Sequence, residues 1–593
     1  MKCIGLHILI LFSVFAAGCK PELPATSTIT VDMESVTIPV NEGLYGLSVK
    51  EMERSDDSGM YAELIRNQSF EREDSLPGWR PLSPGTYLRQ NTVRPVSPAN
   101  PHSLVVSAYV SSFAKRGGVV AEGYNGIPVR KGEKYHLSFF IRTATSVTPV
   151  PVRIALEDSS ASVLLSHVYE VVPSYDWIRY NHTFTATEDA NNAVLTFSIS
   201  QSSFFWIDMV SLAPGKTWKN RPRGLRLDLM EKIAALNPAF ILYQGNTDSS
   251  FQDYLQMCED LQAEPVYAVD SSKVVKKRLY AGENFFLSAH PLFNPDEAGY
   301  PAGIWVDGFS VAGAQTKGTL RAAVAEACFL IRAESAPNVV ERLVYTPVTG
   351  YENDEKPYSP LITFNNHTSV ASPSYYLLQM FARHRGDAVL KTEVNTYSRP
   401  QVVSEDSLCY DFSAKVGLPA GEGERVLLRV RDSVYLALGS GGSELYQLTG
   451  AVKNTLAPPQ PFTFKGEHQV RIACRYDTIR CYIDDTLIHD AVLPPLPSLA
   501  ANAVRDRQNQ RILLKVVNTT YHNEITEINI RGASINSRAG MLQMKGLPEW
   551  RNTFDHPGQV EPVEQTVTLS TRQGRFRYSF PPHSVTILRL NIK

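Results

Sequence analysis

The feature that most constrains the fold is a change of hydrophobic period along the chain. In residues 216–397, helical patterns alternate with short apolar runs: Leu225, Leu229 and Ile233 share one helical face, and the buried-type run 239–243 follows them. The same alternation recurs further along this region. It predicts parallel strands covered by helices, because consecutive parallel strands need a helical crossover.

The regions on either side of this α/β part show strand patterns. Residues 72–215 consist of short alternating runs split by polar turns, which is the signature of a β-sandwich. Residues 404–495 and 499–593 return to the same alternation. Residues 29–71 begin with a strand-like alternation and continue into a short helix pattern at 59–65. The chain is therefore a multidomain protein with one α/β part and several all-β parts.

The amino terminus predicts export and a lipid anchor. A positive start is followed by an apolar run of about 12 residues, too short for the roughly 20 residues of a membrane span. The run ends in Ala16-Ala17-Gly18-Cys19, which resembles the lipobox of bacterial lipoproteins. We expect an exported bacterial lipoprotein at the outer membrane or cell surface, held by lipid on Cys19. A plain secretory signal with a chance cysteine is the alternative.

These patterns divide the chain into seven segments. They are a signal peptide at 1–18, a tether at 19–28, a first sandwich strand with a first βα unit at 29–71, a β-sandwich at 72–215, an α/β region at 216–397, a β insertion at 404–495 and a carboxyl-terminal sandwich at 499–593.

Charge and cysteine content exclude several classes of protein. Lys+Arg is 58 and Asp+Glu is 60, so the chain lacks the basic excess of a dedicated nucleic-acid binder. Its seven cysteines are too sparse for a disulfide scaffold, and no Cys-x-x-Cys or His-x-x-x-His spacing occurs, so we predict no metal site and no cofactor. A hairpin turning at Asp477-Thr478 would set Cys474 opposite Cys481, and we predict that both remain free thiols.

Five stretches carry a further signal through their order along the chain: 44–46 with 61–71, 208–212 with 223–229, 257–265, 319–327 and 374–387. Together they resemble glycoside hydrolase family 51, the α-L-arabinofuranosidases. The resemblance implies a (β/α)8 barrel joined to a β-sandwich or jelly roll built from both ends of the chain. It also implies a carbohydrate-binding-like module at 72–215, which the stretches 123–127 and 131–133 fit, and a laminin-G- or concanavalin-like insertion at 404–495.

The family's chemistry needs two glutamates, a nucleophile and an acid/base, about 5–5.5 Å apart. Here the place of the nucleophile falls on Gly308, and Asp307 lies one residue early, which on a regular strand points to the other face. Glu283 lies in the one stretch that resembles the acid/base motif, but its position fits a later family segment better. Lys50 and Leu242 stand where the family has sugar-contacting groups.

Length agrees with these departures. About 35 residues separate Asp270 from Trp305, where the family has roughly three βα units. The α/β region is about 182 residues long, against roughly 250 for a typical barrel. We therefore predict an incomplete barrel with fewer than eight parallel strands.

Three hypotheses follow for function. The first is a protein that binds terminal α-L-arabinofuranosyl groups of plant-type polysaccharides, in arabinose metabolism, without cleaving them. The second is an active enzyme with relocated carboxylates, Glu283 and Asp307. The third is a structural surface lipoprotein. The candidate sugar-facing residues are Lys50, Glu51, Asn67, Tyr243, Gln244, Asn246 and Trp305, whereas Glu63, Glu71 and Glu326 are expected to support the fold.

Overall fold

A computed structural model describes most of the chain. The residues outside the description are 1–24, 26, 36, 50–58, 72–75, 112–114, 144–147, 159–162, 245–250, 268–274, 282–303, 314, 354–357, 397–408, 419–424, 432–433, 440, 450–451, 462–465, 476–477 and 493–497. Cys19, Lys50, Glu51, Asn246 and Glu283 are among them. Within the described part, no helix is both long and apolar enough to cross a membrane.

The first half of the chain is rich in strands. The amino-terminal segment contains β1 (Ser27–Asp32), β2 (Ile38–Pro39) and β3 (Tyr45–Val49). The next region contains β4 (Trp79–Pro81), β5 (Thr86–Asn91), β6 (Ser103–Ala108), β7 (Gly117–Ala121), β8 (Ile127–Val129), β9 (Lys134–Arg142), β10 (Val150–Glu157), β11 (Val163–Val171), β12 (Ile178–Thr185), β13 (Ala190–Ile199) and β14 (Ser203–Pro214).

The middle of the chain holds the helices. It contains a short 3-10 helix (Trp218–Asn220), α1 (Leu227–Ala235), β15 (Phe240–Tyr243), α2 (Phe251–Leu261), β16 (Glu264–Val266), β17 (Val275–Ala281), β18 (Ile304–Val311), α3 (Leu320–Ser335), β19 (Val340–Tyr345), β20 (Thr349–Tyr351), β21 (Ile362–Phe364), β22 (Ser369–Ala371) and α4 (Pro373–Arg383).

The last third is again built from strands. It contains β23 (Ala388–Thr396), β24 (Cys409–Leu418), β25 (Arg425–Arg431), β26 (Val434–Gly439), β27 (Gly442–Thr449), β28 (Val452–Gln460), β29 (Gly466–Arg475), β30 (Thr478–Ile483), β31 (Thr486–Val492), β32 (Leu499–Asp506), β33 (Arg511–Asn518), β34 (Glu524–Arg531), β35 (Ile535–Lys545), β36 (Val563–Thr568), β37 (Arg575–Phe580) and β38 (Ser584–Ile592).

Six strands form the predicted α/β part. They lie in the order β16-β15-β3-β19-β18-β17, and every neighbouring pair is parallel. The sheet has two edges, β16 and β17, so the barrel is incomplete over the described residues, as predicted. One described strand, β17, falls within the short interval between Asp270 and Trp305.

The helices that cover this sheet begin at sequence-encoded caps. The Thr319 hydroxyl accepts a hydrogen bond from the Ala322 amide at 3.3 Å at the start of α3. At the start of α4, the Ser372 hydroxyl accepts from the Tyr375 amide at 3.3 Å, and Pro373 occupies the first helical position, where it costs no hydrogen bond. Helix α3 is buried on nearly all sides between the sheet and the carboxyl-terminal sandwich.

The region 76–214 forms the predicted β-sandwich, called the sandwich module below. Its two sheets have the orders β11-β10-β13-β7-β4, with β8 beside β13, and β12-β9-β14-β6-β5. Inward residues of both sheets, such as Phe139, Phe197 and Phe205, make one apolar core. This module packs beside the carboxyl ends of the parallel strands.

The carboxyl-terminal sandwich is assembled from both ends of the chain, as the family resemblance implies. Strand β1 pairs with β23 on one side and with β34 on the other. The insertion 409–492 lies between β23 and β32, which pair with each other. It forms two four-stranded sheets around a core of its own.

Two local predictions need correction. Residues 59–65 are not helical: the Ala62 and Leu64 amides donate to Gly224 and Leu212, so tertiary hydrogen bonds replace a helical ladder. In the insertion hairpin, Cys474 pairs with Ile479, so the turn lies one residue earlier than predicted and Cys474 is not opposite Cys481. Both cysteines are buried, and neither forms a disulfide.

Candidate functional site

A cavity of about 1040 Å³ lies where the carboxyl ends of the parallel strands meet the sandwich module. Ligands of parallel α/β sheets bind at this end of the strands, because the loops that follow the strands converge there. Its wall includes Val49 at the end of β3, Gln244 after β15 and Thr346 after β19, and from the module Tyr124 and Arg130.

A network of hydrogen bonds holds the α/β side of the cavity. The Arg226 guanidinium bonds both carboxylate oxygens of Asp228, at 3.0 and 2.8 Å, and donates to the Asn365 carbonyl at 2.7 Å. Burial alone would raise the pKa of Asp228, but the hydrogen bonds and charge of Arg226 outweigh it and hold that pKa below its ordinary value. The Asn365 side chain donates to Glu352 at 3.2 Å.

The module side of the cavity carries basic and aromatic groups. Arg130 Nη1 donates to the Asn191 side chain at 2.7 Å, and its backbone amide donates to the Tyr135 hydroxyl at 2.9 Å. Burial, followed by the charge of Arg130, lowers the pKa of His367 on the facing wall. His367 is therefore a neutral imidazole at pH 7, able to donate or accept a hydrogen bond.

The acids that line the described wall are engaged or exposed. Glu63 accepts from the Ser211 hydroxyl at 2.6 Å and from the amides of Ile65 and Leu212, both at 2.9 Å. Burial raises the pKa of Glu63 to about 7, and these hydrogen bonds limit the rise. Glu133 pairs with Lys216 at 3.2 Å, Asp228 is held by Arg226, and Glu231 is an exposed residue of α1.

Of the predicted sugar-facing residues, Gln244 lies on the cavity wall. Asn67 is buried away from it, and its backbone carbonyl accepts a hydrogen bond from Trp79 Nε1 at 3.2 Å. Tyr243 also lies elsewhere: its ring packs on the helical side of the sheet, 4.8 Å from the Tyr254 ring and 5.5 Å from the Phe251 ring.

Trp305 lies at the opposite end of the sheet from the cavity. It is the second residue of β18 and packs with Phe240, the first residue of β15, on the face away from the helices. The Arg342 guanidinium covers both rings, 4.7 Å from the Trp305 ring and 4.5 Å from the Phe240 ring. These three side chains hold the amino ends of the strands together.

Strand β18 contains a β-bulge at Asp307-Gly308. At this point it has one more residue than each of its two neighbours, β17 and β19. Val306 and Phe309 consequently both face the helices, although a regular strand would point them to opposite faces. The prediction that positions 307 and 308 face opposite sides of the sheet assumed a regular strand. The bulge interrupts the alternation of side chains at these two positions. Asp307 is 8% exposed and does not line the cavity.

Sequence reasoning missed much of the wall around Arg226. Arg226 and Asp228 were in a recognised stretch, and their spacing of two was a usable signal of an ion pair. Tyr351, Asn366 and His367 lie on a small sheet formed by β20, β21 and β22 and its turn, which no period in the sequence indicates. Over the residues the structure describes, no group of three or more histidines, cysteines or acids is arranged to hold a metal ion.

Comparison with known proteins agrees with this architecture. The family described as the α-L-arabinofuranosidase C-terminal domain matches residues 303–584, and the carbohydrate binding domain family matches residues 62–203. An arabinose-bound α-L-arabinofuranosidase structure of family 51 superposes with a TM-score of 0.70 at 16% identity, covering 95% of this chain and all of the other.

Two curated relatives show sequence similarity over part of the chain. The extracellular exo-α-L-arabinofuranosidase of Streptomyces chartreusis is 33% identical over 250 residues, which are 40% of this chain and 29% of that protein. Alpha-L-arabinofuranosidase 2 of Arabidopsis thaliana is 27% identical over 259 residues, 41% of this chain and 38% of that protein. The match therefore spans about a third of the length of these relatives.

The fold is a reduced barrel of parallel strands with accessory β-sandwiches, and the cavity lies at the carboxyl ends of those strands. More particularly, residues 303–584 match the α-L-arabinofuranosidase C-terminal domain, residues 62–203 match a carbohydrate binding domain, and 95% of the chain shares the fold of a family 51 enzyme.

Proposed function

We propose that the chain binds terminal α-L-arabinofuranosyl groups of arabinose-containing glycans in the cavity and does not cleave them. The observation that carries the proposal is the state of the four acids on the described wall: Glu63, Glu133 and Asp228 are each held by hydrogen bonds or a cation, which leaves Glu231 as a single exposed carboxylate. A retaining glycosidase needs two carboxyl groups free to reach one sugar. Gly308 at the place of the nucleophile supports the same reading, since it has no side chain.

Calorimetric titration and a hydrolysis assay on the purified chain test this function. We expect saturable binding of an arabinofuranosyl-substituted oligosaccharide, weaker binding of an unsubstituted xylo-oligosaccharide of equal length, and no nitrophenol release from an aryl α-L-arabinofuranoside. Gln244→Ala on the cavity wall should weaken binding, whereas Gln256→Ala on the exposed side of α2 should not. Absence of any sugar binding would favour a structural surface protein instead.

One observation favours the alternative of an active enzyme. A β-bulge re-aims the side chains beside it and often occurs next to active sites, and the bulge of β18 falls at Asp307. If the chain does release nitrophenol, and Asp307→Asn or Glu283→Gln abolishes the release, the enzyme hypothesis replaces ours. Turnover that survives both substitutions would exclude these two residues as the relocated pair.

The proposed location is the surface of a bacterial cell, with lipid on Cys19. The support is the sequence of residues 1–19. Radiolabelled fatty acid should label the wild type and not Cys19→Ser, and equal labelling of the two would contradict the anchor.

A further inference from the structure

We propose that the tip of the sandwich module, residues 123–130, forms a specificity-determining wall of the cavity and selects arabinofuranosyl-substituted oligosaccharides over single arabinose units. This inference rests on the proposed sugar-binding function. It assigns the module's ligand to the cavity that the module shares with the α/β region, and not to a separate surface.

The tip is fixed to the α/β region by side-chain hydrogen bonds. The Asn366 amide nitrogen, in the turn between β21 and β22, donates to the Gly126 carbonyl at 2.9 Å and to the Asn125 and Asn191 carbonyls, both at 3.3 Å. The Tyr351 hydroxyl accepts from the Asn125 amide at 3.4 Å. One asparagine side chain thus contacts three carbonyls of the module. These contacts fix the position of the module wall of the cavity relative to the α/β wall.

The backbone of the tip has one well-defined conformation. Gly123, Asn125 and Gly126 have φ values of 62°, 62° and 105°, which glycine and asparagine tolerate. A Cβ on Gly126 would lie 2.7 Å from the Cα of Asn192, and one on Gly123 would lie 2.6 Å from the Leu64 carbonyl oxygen. The tip is therefore packed closely against its neighbours, and a preorganised surface of this kind loses less entropy on binding.

The size of the cavity indicates more than one sugar unit. Small-molecule sites have volumes of about 300–1,000 Å³, and this cavity, at about 1040 Å³, lies just above that range. One pentose at the strand ends would leave the module side unfilled. Tyr124, Arg130 and Tyr135 line that side, and an aromatic ring with a guanidinium suits the apolar face and hydroxyls of further sugars.

The alternative place for a sugar on the module is the outer face of the β12-β9-β14 sheet, and the loop 92–102 covers its aromatic end, around Arg142 and Trp206. Arg142 Nη2 donates to the Val93 carbonyl at 2.9 Å, and Trp177 Nε1 donates to the Arg94 carbonyl at 2.9 Å. The Arg142 guanidinium also lies 5.0 Å from the Trp177 ring and 4.2 Å from the Trp206 ring. These aromatic rings hold the loop, so the tip is the better candidate for sugar contact.

Matched tyrosine variants of the same module test the inference. Tyr124 is at the tip, and Tyr175 is 63% exposed on the far face, beneath Arg94. We expect Tyr124→Ala to lower the affinity for an arabinofuranosyl-substituted oligosaccharide about tenfold and to leave the affinity for methyl α-L-arabinofuranoside within about twofold. Tyr175→Ala should change neither value.

A second variant separates the wall from its support. Asn366→Ala removes the three hydrogen bonds that fix the tip and keeps the Tyr124 side chain. It should therefore also weaken binding of the oligosaccharide more than binding of methyl α-L-arabinofuranoside. Equal losses for both ligands, no loss in Tyr124→Ala, or a larger loss in Tyr175→Ala would each overturn the inference while leaving the proposed function standing. A wild type that binds neither ligand contradicts the proposed function itself, and the inference with it.

Discussion

A buried ion pair joins the α/β region to the carboxyl-terminal sandwich. Lys515 on β33 is fully buried, and its Nζ lies 2.6 Å from both carboxylate oxygens of Glu334 on α3. The Tyr45 hydroxyl and the Asn502 amide donate to the same carboxylate at 2.7 and 2.9 Å. Burial lowers the pKa of Lys515, while Glu334 acts against that shift. The cost of burying the pair is offset because each carboxylate oxygen of Glu334 has two hydrogen-bond donors.

Removal of one member should be costly. Lys515→Met leaves the Glu334 carboxylate buried without its cation, and we expect a loss of about 3–5 kcal/mol in unfolding free energy, seen as a lower melting temperature. Lys391→Met, in an exposed pair with Glu393, should cost less than about 1 kcal/mol. The double variant Lys515→Met, Glu334→Gln should recover part of the loss. If Lys515→Met and Lys391→Met melt at similar temperatures, the buried pair contributes little to stability.

Glu326 makes stability depend on pH. It is 1% exposed, accepts from the Val311 amide at 2.9 Å and from the Tyr345 hydroxyl at 3.2 Å, and burial raises its pKa from 4.5 to about 7. Between these values the folded chain holds a proton that the unfolded chain has lost. Stability is therefore highest below the lower value and falls as pH rises through 7, by roughly 3 kcal/mol for this group.

Glu326→Gln should flatten this dependence. The amide is neutral at every pH, so the melting temperature of the variant should fall less between pH 5 and pH 8 than that of the wild type. Glu63 and Asp208, whose pKa values burial raises to about 7 and about 8, titrate in both proteins and cancel in the comparison. Parallel curves for the two proteins would show that Glu326 is not the source.

Among the strands, a glycine in β3 leaves room for a phenylalanine ring of the neighbouring strand β15. Gly46 pairs with Phe240 on β15, and a Cβ at position 46 would lie 2.2 Å from the Phe240 ring. Gly46→Ala should destabilise the chain by about 1–3 kcal/mol through overpacking, and Phe240→Leu in the same chain should relieve it. Gly417→Ala, with nothing within 4 Å of the added Cβ, is the control and should have little effect on melting.

The elements that sequence reasoning found are those whose period is local. Helix α1 spans Leu227–Ala235 and buries Leu229 and Ile233, two residues of the predicted helical face, because their apolar spacing alone specifies it. Segment 59–65 was misassigned because its amides bond to residues 212 and 224, distant in sequence. The bulge at Asp307-Gly308 and the shifted turn before Thr478 change side-chain direction or register without changing composition.

The site was less predictable than the elements for the same reason. Gln244 follows a recognisable buried strand, so its place at the strand ends could be expected. Tyr243, one residue earlier, points to the helices because strand side chains alternate, and the apolar run gave no indication of which face is which. The module wall of the cavity depends on Asn366, whose contacts no sequence period indicates.

At the scale of the whole molecule, the insertion is a separable unit. Its core contains residues of the insertion alone, and β23 and β32, which flank it, already pair through Leu390 and Ala503. Within one of its sheets, Cys409, Arg475, Thr478 and Val492 lie in one row across four strands. The chain therefore enters and leaves the insertion at the same end, about 14 Å apart at ~4.8 Å per strand.

A chain in which a short Gly/Ser linker replaces residues 397–498 should consequently fold. The linker joins two strands that already pair through residues 388–390 and 503–505, and closing a short loop costs little entropy. We expect the melting transition of the remaining domains, the cavity and its sugar affinity to be preserved, and the insertion expressed alone to melt cooperatively. Loss of the main transition in the deletion variant, with sugar affinity lost as well, would show instead that the insertion supports the α/β region and its site.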